Sequence, residues 1–313
     1  MSEPAIRYKI ENWSGYNQSL IRRGDITLWF DQELLSQWQA TERTGKRGRP
    51  IVYSAVVLRC MLALRLLYCL PLRAAQGLFC SLLCLLGLAL PVPNYTTLCR
   101  RQGTLHVDLG VSSAEEPRHI LVDSTGLKVF GEGEWKVRQH GVGQRRTWRK
   151  LHLAIDAKSR EIVAAALTDS GTQDCEVLPR LLLQIDGFMA KVGADGAYDS
   201  WECRYAIIQH HAQAVIPPRE NAVINGNDQI EEVRQRDEAL RQIEREGLKA
   251  WKQDSGYHQR SLAETAMFQV KTTFGTEMKA RVIQNQITEA LMKSHILKRF
   301  IQQGLPASVQ IEA

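Results

Sequence analysis

The sequence predicts an α/β protein in which an all-α region precedes a mixed sheet with flanking helices. Leucine-rich runs with helical periodicity fill much of the first third, and β-branched runs bounded by Gly, Asp and Pro begin near residue 117. An amphipathic helical pattern follows the strands at residues 255–271. With 313 residues and 44% hydrophobic content, the chain is long enough for two or three domains.

Changes in composition divide the chain into four parts. Residues 1–50 combine aromatic side chains with a Gly- and Arg-rich segment, RTGKRGRP, in which Lys46, Arg47 and Arg49 suit a phosphate backbone. The other parts are a helical region at 51–115, a sheet domain at 116–300 with a helical insertion at about 221–256, and a C-terminal tail at 301–313.

The helical region is predicted to contain three helices. The first covers about residues 54–68, the second runs from the Leu70-Pro71 turn to about Gly87, and a short third helix begins at Asn94. A tight turn before a short last helix is typical of a helix-turn-helix, whose last helix enters the major groove. Its candidate DNA contacts are Thr96, Arg100 and Arg101. A small helical bundle without DNA contact is the alternative.

Basic residues are concentrated towards the N-terminus. Residues 1–105 hold 13 Lys and Arg against 6 Asp and Glu, whereas residues 106–313 hold 27 against 28. A local basic excess favours a polyanionic partner such as nucleic acid. A second basic stretch, EWKVRQHGVGQRRTWRK, predicts a loop or hairpin that grips DNA, with a solvated basic loop as the alternative. Its candidate contacts are Arg145, Arg146 and Arg149.

Cysteine usage and hydropathy indicate a cytoplasmic protein. The seven cysteines include no CxxC pair, which predicts reduced, buried thiols. The first residues lack the apolar core of a secretory signal. The uncharged stretch 74–93 is as long as a membrane span, but Gly and Pro residues interrupt it. We therefore expect a buried helix and a turn there, with membrane insertion as the alternative.

The second half of the chain predicts a mixed sheet. Residues 118–130 and 148–170 read as three consecutive strands of an antiparallel meander, with the turn DAKSRE inside the second run. Helix and strand then alternate, and a charged helical segment leads into the amphipathic helix at 255–271. This order of elements is that of a ribonuclease-H-like fold. The elements expected after the meander are a helix at about 174–186, a strand at 190–195, a helix at 200–210, a strand at 213–217 and helical sequence at 228–253.

Three carboxylates are candidate ligands of a metal. Asp123 is expected at the end of an apolar strand before a Ser-Thr-Gly turn, and Asp195 at the end of a later strand. A carboxylate in such a place is unfavourable unless it binds a cation. With Glu264 they form an all-oxygen set suited to Mg²⁺ or Mn²⁺.

Glu264 belongs to a polar stripe in SGYHQRSLAETAMFQVK. Tyr257, Arg260 and Lys271 share its face of the predicted helix, because one face recurs at i+3, i+4 and i+7. The opposite face is apolar and packs on a core. On local sequence alone, a solvated helix face with ion pairs is the alternative.

Together these motifs resemble the DDE transposases of bacterial insertion sequences, in the insertion-sequence five group. The similarity covers nearly the whole chain, through RYKIENWSGYN, LVDSTGLKVFGEGEWKVRQHG, KLHLAID, ADGAYD, IPPREN and SGYHQRSLAETAMFQVK. The last segment matches the family pattern Tyr-x2-Arg-x3-Glu-x6-Lys at every position, which is far more specific than an isolated DSTG.

The resemblance implies that Asp123, Asp195 and Glu264 are the catalytic, metal-binding triad for two Mg²⁺ or Mn²⁺ ions. It implies phosphate contacts by Tyr257, Arg260 and Lys271 at the transposon ends. The expected enzyme binds terminal inverted repeats, cuts them and joins the ends to target DNA, as a nucleoid-associated homo-oligomer, expected to be a dimer. A nuclease without strand transfer and a catalytically inactive DNA-binding regulator are the alternatives.

Overall fold

The computed structural model describes two compact units, each treated on its own below. The first unit comprises Met1–Cys99 and Ile296–Ala313, and the second comprises Arg100–His295. The described residues are 7–40, 51–110, 116–129 and 148–311.

The first unit is mainly helical in its described residues. Its elements up to the boundary are β1 (Arg7–Ile10), α1 (Trp13–Arg22), a 3₁₀ turn (Ile26–Leu28), α2 (Gln32–Ser36), α3 (Ala55–Leu67), α4 (Leu72–Leu85) and α5 (Tyr95–Arg101), whose last two residues belong to the second unit. The helices α1 and α2 lie in a segment for which the sequence predicted no regular structure.

The three helices expected at 54–101 are confirmed, but one connection differs. Ser54 begins α3, because its Oγ accepts a hydrogen bond from the Val57 amide at 3.3 Å. The bend between α3 and α4 is 112°. Asn94 caps α5, since its Oδ1 accepts from the Thr96 amide at 2.9 Å. The tight turn therefore precedes α4, and the connection before α5 is longer than predicted.

Aromatic side chains form the centre of the first unit. The rings of Phe30 and Phe79 lie 5.2 Å apart, and Trp38 lies 5.9 Å from Phe79. Trp38 also donates from Nε1 to the carbonyl of Pro91 at 2.9 Å, which anchors the chain before α5. Aromatic pairs at these separations add to the stability gained from apolar burial.

Hydropathy and cysteine placement differ in part from expectation. Among the described residues, no single helix is long and apolar enough to cross a membrane, and α3 with α4 reaches that limit only as a bent pair. All seven cysteines are free, as predicted, but only Cys60 and Cys203 are buried. The prediction of buried thiols is wrong for the four exposed ones: Cys69 lies in the turn between α3 and α4, and Cys80, Cys84 and Cys99 lie on exposed faces of α4 and α5.

The second unit is built on a mixed sheet. Its strands are β2 (Arg118–Val129), β3 (Trp148–Asp156), β4 (Ile162–Asp169), β5 (Met189–Gly193), β6 (Gln213–Val215) and β7 (Glu277–Met278). Its helices are α6 (Asp174–Leu182), α7 (Trp201–Gln209), α8 (Glu231–Glu246), α9 (Leu248–Asp254), α10 (Ser261–Phe274) and α11 (Ile283–Gln302), which continues into the first unit.

Strand order confirms the predicted meander and the mixed sheet. The main path is β4-β3-β2-β5-β6, and β7 pairs with β2 beside it. β2, β3 and β4 are antiparallel neighbours, whereas β5, β6 and β7 run parallel to their partners. Helices cover both faces: α6 and α7 contribute to the core that contains Ile120 and Val122, and α10 packs on β2 and β3. This arrangement is consistent with the predicted ribonuclease-H-like core.

The C-terminal tail forms a strand, β8 (Ser308–Ile311), which pairs antiparallel with β1 inside the first unit. Asn12 strengthens this closure, since its side chain donates to the Leu305 carbonyl and accepts from the Ala307 amide, at 2.9 and 2.7 Å. Such a pairing joins sequence positions about 300 residues apart, so no local pattern predicts it.

Candidate active site

Asp123 and Asp195 occupy matching positions on two parallel strands. β2 pairs with β5 as far as Leu121 and Gly193, and each aspartate lies two residues beyond that pair. Because side chains alternate along a strand, equal offsets bring both carboxylates to the same end of the β2–β5 ladder. This register is the structural reason why two aspartates that are distant in the sequence lie at the same end of the sheet.

The surroundings of Asp123 differ from the sequence expectation. β2 does not turn at Ser-Thr-Gly but continues to Val129, because β3 pairs with it along the whole segment, with Asp123 opposite Leu153 and Gly126 opposite Lys150. The parallel partner β5 ends, whereas the antiparallel partner continues. Asp123 is therefore at the end of one ladder and in the middle of another.

Gly193, near Asp195, is a position of close packing. A Cβ at Gly193 would lie 3.0 Å from Leu121 Cδ2 and 3.4 Å from His119 Nε2, so it is the side chains of β2 that need the space.

Glu264 reaches the same region from the first turn of α10. Gly256 adopts a left-handed conformation (φ 77°) and separates α9 from a 3₁₀ turn, Tyr257–Arg260, that leads into α10. The prediction of one continuous helix from the start of the segment is therefore wrong at its N-terminal end. The physical reason is this glycine, at which an α-helix cannot continue.

Arg260 connects two of the three carboxylates. Its Nη1 lies 3.3 Å from Asp123 Oδ2, and its Nη2 donates a short hydrogen bond to Glu264 Oε1. Asp195 uses Oδ1 to accept from the Ala197 amide at 2.9 Å. The side chains of Asp123 and Arg260 are mostly buried, whereas Glu264 remains half exposed.

The electrostatics reflect the crowding of these groups. Burial raises the pKa of Asp123, and the charges of Asp195 and Glu264 add to the increase. The Ser124 amide and Arg260 oppose it. Partial burial disfavours the charge on Arg260, yet the neighbouring acidic groups raise its pKa overall.

Tyr257 lies against both an aromatic and a cationic neighbour. Its ring is 5.8 Å from that of Trp251, which is buried, and 5.9 Å from the Arg260 guanidinium carbon. Burial raises the pKa of Tyr257. The core role expected for Trp251 is confirmed, and its contact with Tyr257 helps to fix the 3₁₀ turn that carries Arg260.

Lys271 lies on the same face of α10 as Glu264, two turns further along. It is half buried, and no ion pair to it occurs in the described part of the chain. Phe268, the apolar residue within the stripe, is 69% exposed. The predicted stripe from Glu264 to Lys271 therefore exists on α10.

The chemistry of the donors fits a hard divalent cation. Asp123 and Glu264 pair with the Arg260 guanidinium, and the charge of Asp195 also acts on it. Oxygen ligands of this kind suit Mg²⁺ and Mn²⁺. Within the residues that the structure describes, no three His, Cys, Asp or Glu side chains already converge as a metal site. Metal binding would require Asp123 and Glu264 to exchange Arg260 for the ion.

Similarity to known families agrees with this geometry. A family model described as a transposase DDE domain matches residues 114–297, which contain all three carboxylates. This chain belongs to the DDE transposase family. A second model with the same description matches residues 21–132. No solved structure matches the chain at a significant level. The family implies DNA as the substrate of this transposase and DNA transposition as its process.

A second charged cluster of the transposase, around Asp199, was not predicted from the sequence. Asp199, four residues after Asp195, is buried and accepts from Arg204 Nε at 2.9 Å, Arg236 Nε at 3.2 Å and the Arg219 amide at 3.1 Å. Burial alone would raise the pKa of Asp199, but these donors hold it below its ordinary value. The cluster ties α7, the chain after β6 and α8 together beside the candidate site.

Tyr198 and His152 are two further buried polar side chains of the second unit. The Tyr198 hydroxyl is buried and has no hydrogen-bond partner among the described residues. Burial raises its pKa, and Asp174 and Asp123 act in the same direction. His152 is fully buried and shares a 2.9 Å hydrogen bond with Thr168 Oγ1, as expected for a core histidine, and burial lowers its pKa to about 4.

The basic residues predicted to contact DNA have different environments. Arg149 donates from Nε to Gln286 Oε1 at 2.9 Å, so part of its guanidinium has a protein partner. Arg100 is exposed, whereas Thr96 and Arg101 are half buried. The remaining candidates lie outside the described residues; they are Lys46, Arg47, Arg49, Arg145 and Arg146. DNA contact by all of these stays a prediction.

Proposed function

We propose that this transposase cuts DNA at terminal inverted repeats and joins the released 3′ ends to target DNA. The observation that carries the proposal is that Asp123, Asp195 and Glu264, from β2, the end of β5 and α10, gather near Arg260, which pairs with Asp123 and Glu264. Isolated surface acids do not concentrate in this way, because like charges repel. The Tyr-x2-Arg-x3-Glu-x6-Lys pattern supports the insertion-sequence five group.

In this proposal Asp123, Asp195 and Glu264 hold two divalent ions, Mg²⁺ or Mn²⁺. Such ions, when bound, polarise the scissile phosphate, activate the attacking oxygen and stabilise the leaving 3′ oxygen. Arg260 and Lys271 bind phosphates on either side of the cut, and Tyr257 helps to orient the DNA end. The apolar face of α10, anchored by Val270 and Phe274, keeps these side chains in position.

The N-terminal part is proposed to recognise the repeats. Its support is the basic excess of residues 1–105 and the capped helix α5, which carries Arg100 and Arg101. We keep the predicted division into a DNA-binding region at 51–115 and a catalytic domain at 116–300.

Replacing both Arg100 and Arg101 by Gln should weaken binding to repeat DNA, and the remaining affinity should depend less on salt concentration. Unchanged affinity in a gel-shift titration would exclude α5 as a DNA contact.

One set of DNA substrates separates the proposed reaction from its rivals. The sequences flanking this reading frame supply the candidate repeats, as uncut ends and as ends already cut to expose the 3′-OH. We expect the wild type with Mg²⁺ to cut the former and to join the latter to plasmid DNA. Hydrolysis without joined product would indicate a nuclease, and binding without either reaction would indicate a regulator.

The matched variants are Asp195→Asn and Asp186→Asn. Both neutralise one carboxylate of the second unit, but Asp186 is exposed outside the cluster. We expect Asp195→Asn to lose cleavage and joining while Asp186→Asn retains both. Equal activity of the two variants would refute the assignment of Asp195.

The expected dimer has its own test. Since an oligomer should pair two ends, a pull-down that recovers both of two differently labelled ends in one complex would support it.

A further inference from the structure

Arg260 holds oxygens that the proposed metal site requires. Its two terminal nitrogens engage Asp123 Oδ2 and Glu264 Oε1, so one guanidinium spans two of the three candidate ligands. Charge-assisted hydrogen bonds from a guanidinium to carboxylates are strong, and the planar group fixes the directions of its donors. Lys271, the other cation of the stripe, makes no such pair within the described residues. The two cations of one helix face therefore differ in what they do before DNA arrives.

A guanidinium and a divalent ion cannot share these oxygens freely. Mg²⁺ and Mn²⁺ need direct oxygen ligands, and a positive guanidinium beside them is repelled. Arginine cannot relieve this repulsion by losing its proton, because the guanidinium stays protonated in proteins. When an ion binds, Arg260 must move and its charge must find another partner.

The fold allows that movement. Arg260 ends a 3₁₀ turn rather than lying inside a helix, and left-handed Gly256 begins that turn. Its side chain is 22% exposed, so the guanidinium has a route to the surface. Tyr257 lies 5.9 Å away and offers its ring face during the swing. A DNA phosphate near the scissile bond is the anion that this position would meet.

We propose that Arg260 couples divalent-ion binding to DNA-phosphate binding by exchanging its carboxylate partners for a phosphate. This inference rests on the proposed function, since it takes Asp123 and Glu264 as metal ligands. In the free protein Arg260 opposes metal binding. With DNA bound, the phosphate holds Arg260 away and the carboxylates become available.

Thermodynamic linkage makes the coupling reciprocal. If DNA raises the affinity for the ion by some factor, the ion raises the affinity for DNA by the same factor. Coupling between sites in proteins is typically about 5- to 150-fold. The consequence for this transposase is that metal loads efficiently after an end has been captured, which limits cleavage in the absence of a bound end.

The test measures Mn²⁺ affinity of the full-length protein with and without end DNA, by the electron paramagnetic resonance signal of free Mn²⁺. The DNA is an end already cut and closed with a 3′-dideoxynucleotide, so no reaction follows. In the wild type we expect DNA to raise Mn²⁺ affinity at least about 5-fold. In Arg260→Gln we expect about tenfold tighter Mn²⁺ binding without DNA, and little further gain when DNA is added.

Two further variants keep the result interpretable. Lys271→Gln removes a cation from the same face without touching Asp123, so it should weaken DNA binding yet retain the gain in Mn²⁺ affinity. Arg260→Lys preserves the charge, but an ammonium lacks the two separate terminal nitrogens that contact Asp123 and Glu264. Its coupling should be intermediate. Thermal unfolding monitored by circular dichroism verifies that each variant is folded.

The two levels of hypothesis fail differently. If Arg260→Gln has wild-type Mn²⁺ affinity and wild-type coupling, the exchange is wrong although the triad stands. Loss of coupling in Lys271→Gln to the same degree would also overturn it, because the effect would then be general charge. If Asp195→Asn binds Mn²⁺ with the same affinity as the wild type, both with and without DNA, the proposed metal site itself is wrong.

Discussion

Two clusters of the second unit join carboxylates to arginines, and they are built differently. Around Asp199 the side chains are buried, and Arg204, Arg236 and the Arg219 amide supply donors to both carboxylate oxygens. Around Asp123, one arginine serves two carboxylates, and a third lies nearby with little compensation. Asp199 thus has two arginines and a backbone amide for one negative charge. In the described residues, the three carboxylates of the candidate site have one paired arginine.

This contrast distinguishes a structural ion cluster from the proposed metal site. Burying a carboxylate is unfavourable unless hydrogen bonds and opposite charges replace water. The Asp199 cluster satisfies that requirement from within the protein and fixes the chain around Asp195. Among the described residues, the Asp123 cluster has fewer positive than negative groups, and we expect a cation or a cation-bound substrate to bind under that condition. Neither property follows from the residue types, since both clusters contain Asp and Arg.

The largest expected effect concerns catalysis at the under-compensated cluster. Asp123→Asn should lower the rate of end cleavage by about a thousandfold or more, because metal stabilisation of the transition state is worth several kcal/mol. Its fold should persist, since neutralising a partly buried acid removes a desolvation cost. Single-turnover cleavage and urea unfolding measure the two quantities. A variant that cleaves normally would show that Asp123 is not a ligand.

The next effect concerns stability at the compensated cluster. Asp199→Asn leaves Arg204 and Arg236 buried without their carboxylate, and breaking such a pair costs about 3–5 kcal/mol of unfolding free energy. Urea unfolding of this variant should therefore shift markedly, whereas Asp123→Asn should not. If Asp199→Asn were as stable as wild type but inactive, the comparison would break, because Asp199 would belong to the catalytic machinery.

The smallest effect is a difference in pH dependence with opposite signs. The pKa of Asp123 is raised in the folded protein, so its stabilising contribution is present below pH about 3.8 and is lost as pH rises through the folded pKa. The pKa of Asp199 is lowered, so its contribution is present above that value and is lost as pH falls through the folded pKa. The stability of Asp123→Asn relative to wild type should rise as the pH rises. The stability of Asp199→Asn relative to wild type should rise as the pH falls. Parallel pH trends in thermal unfolding would contradict the assigned electrostatics.

Local patterns in the sequence predicted much of the second unit. Alternating β-branched runs indicated the meander, and the spacing from Glu264 to Lys271 placed both on one face of α10 because a helix repeats every 3.6 residues. Glu264 and the two aspartates were also identified as candidates, since acidic residues in apolar surroundings are unfavourable without a cation. The family pattern in the same segment pointed to DDE transposases.

Other features depend on contacts between distant segments, and only the tertiary structure decided them. The register of β2 with β5 gives Asp123 and Asp195 their equal offset. The packing of α10 on β2 brings Arg260 Nη1 within 3.3 Å of Asp123 Oδ2, a contact that helical spacing alone does not predict. Periodicity describes how one element faces a core, but register and side-chain partners are set by the long-range packing of whole elements. The sequence by itself therefore determined which residues were candidates for chemistry, and the tertiary structure decided how the carboxylates are paired: Asp123 and Glu264 share Arg260, whereas Asp199 has Arg204 and Arg236.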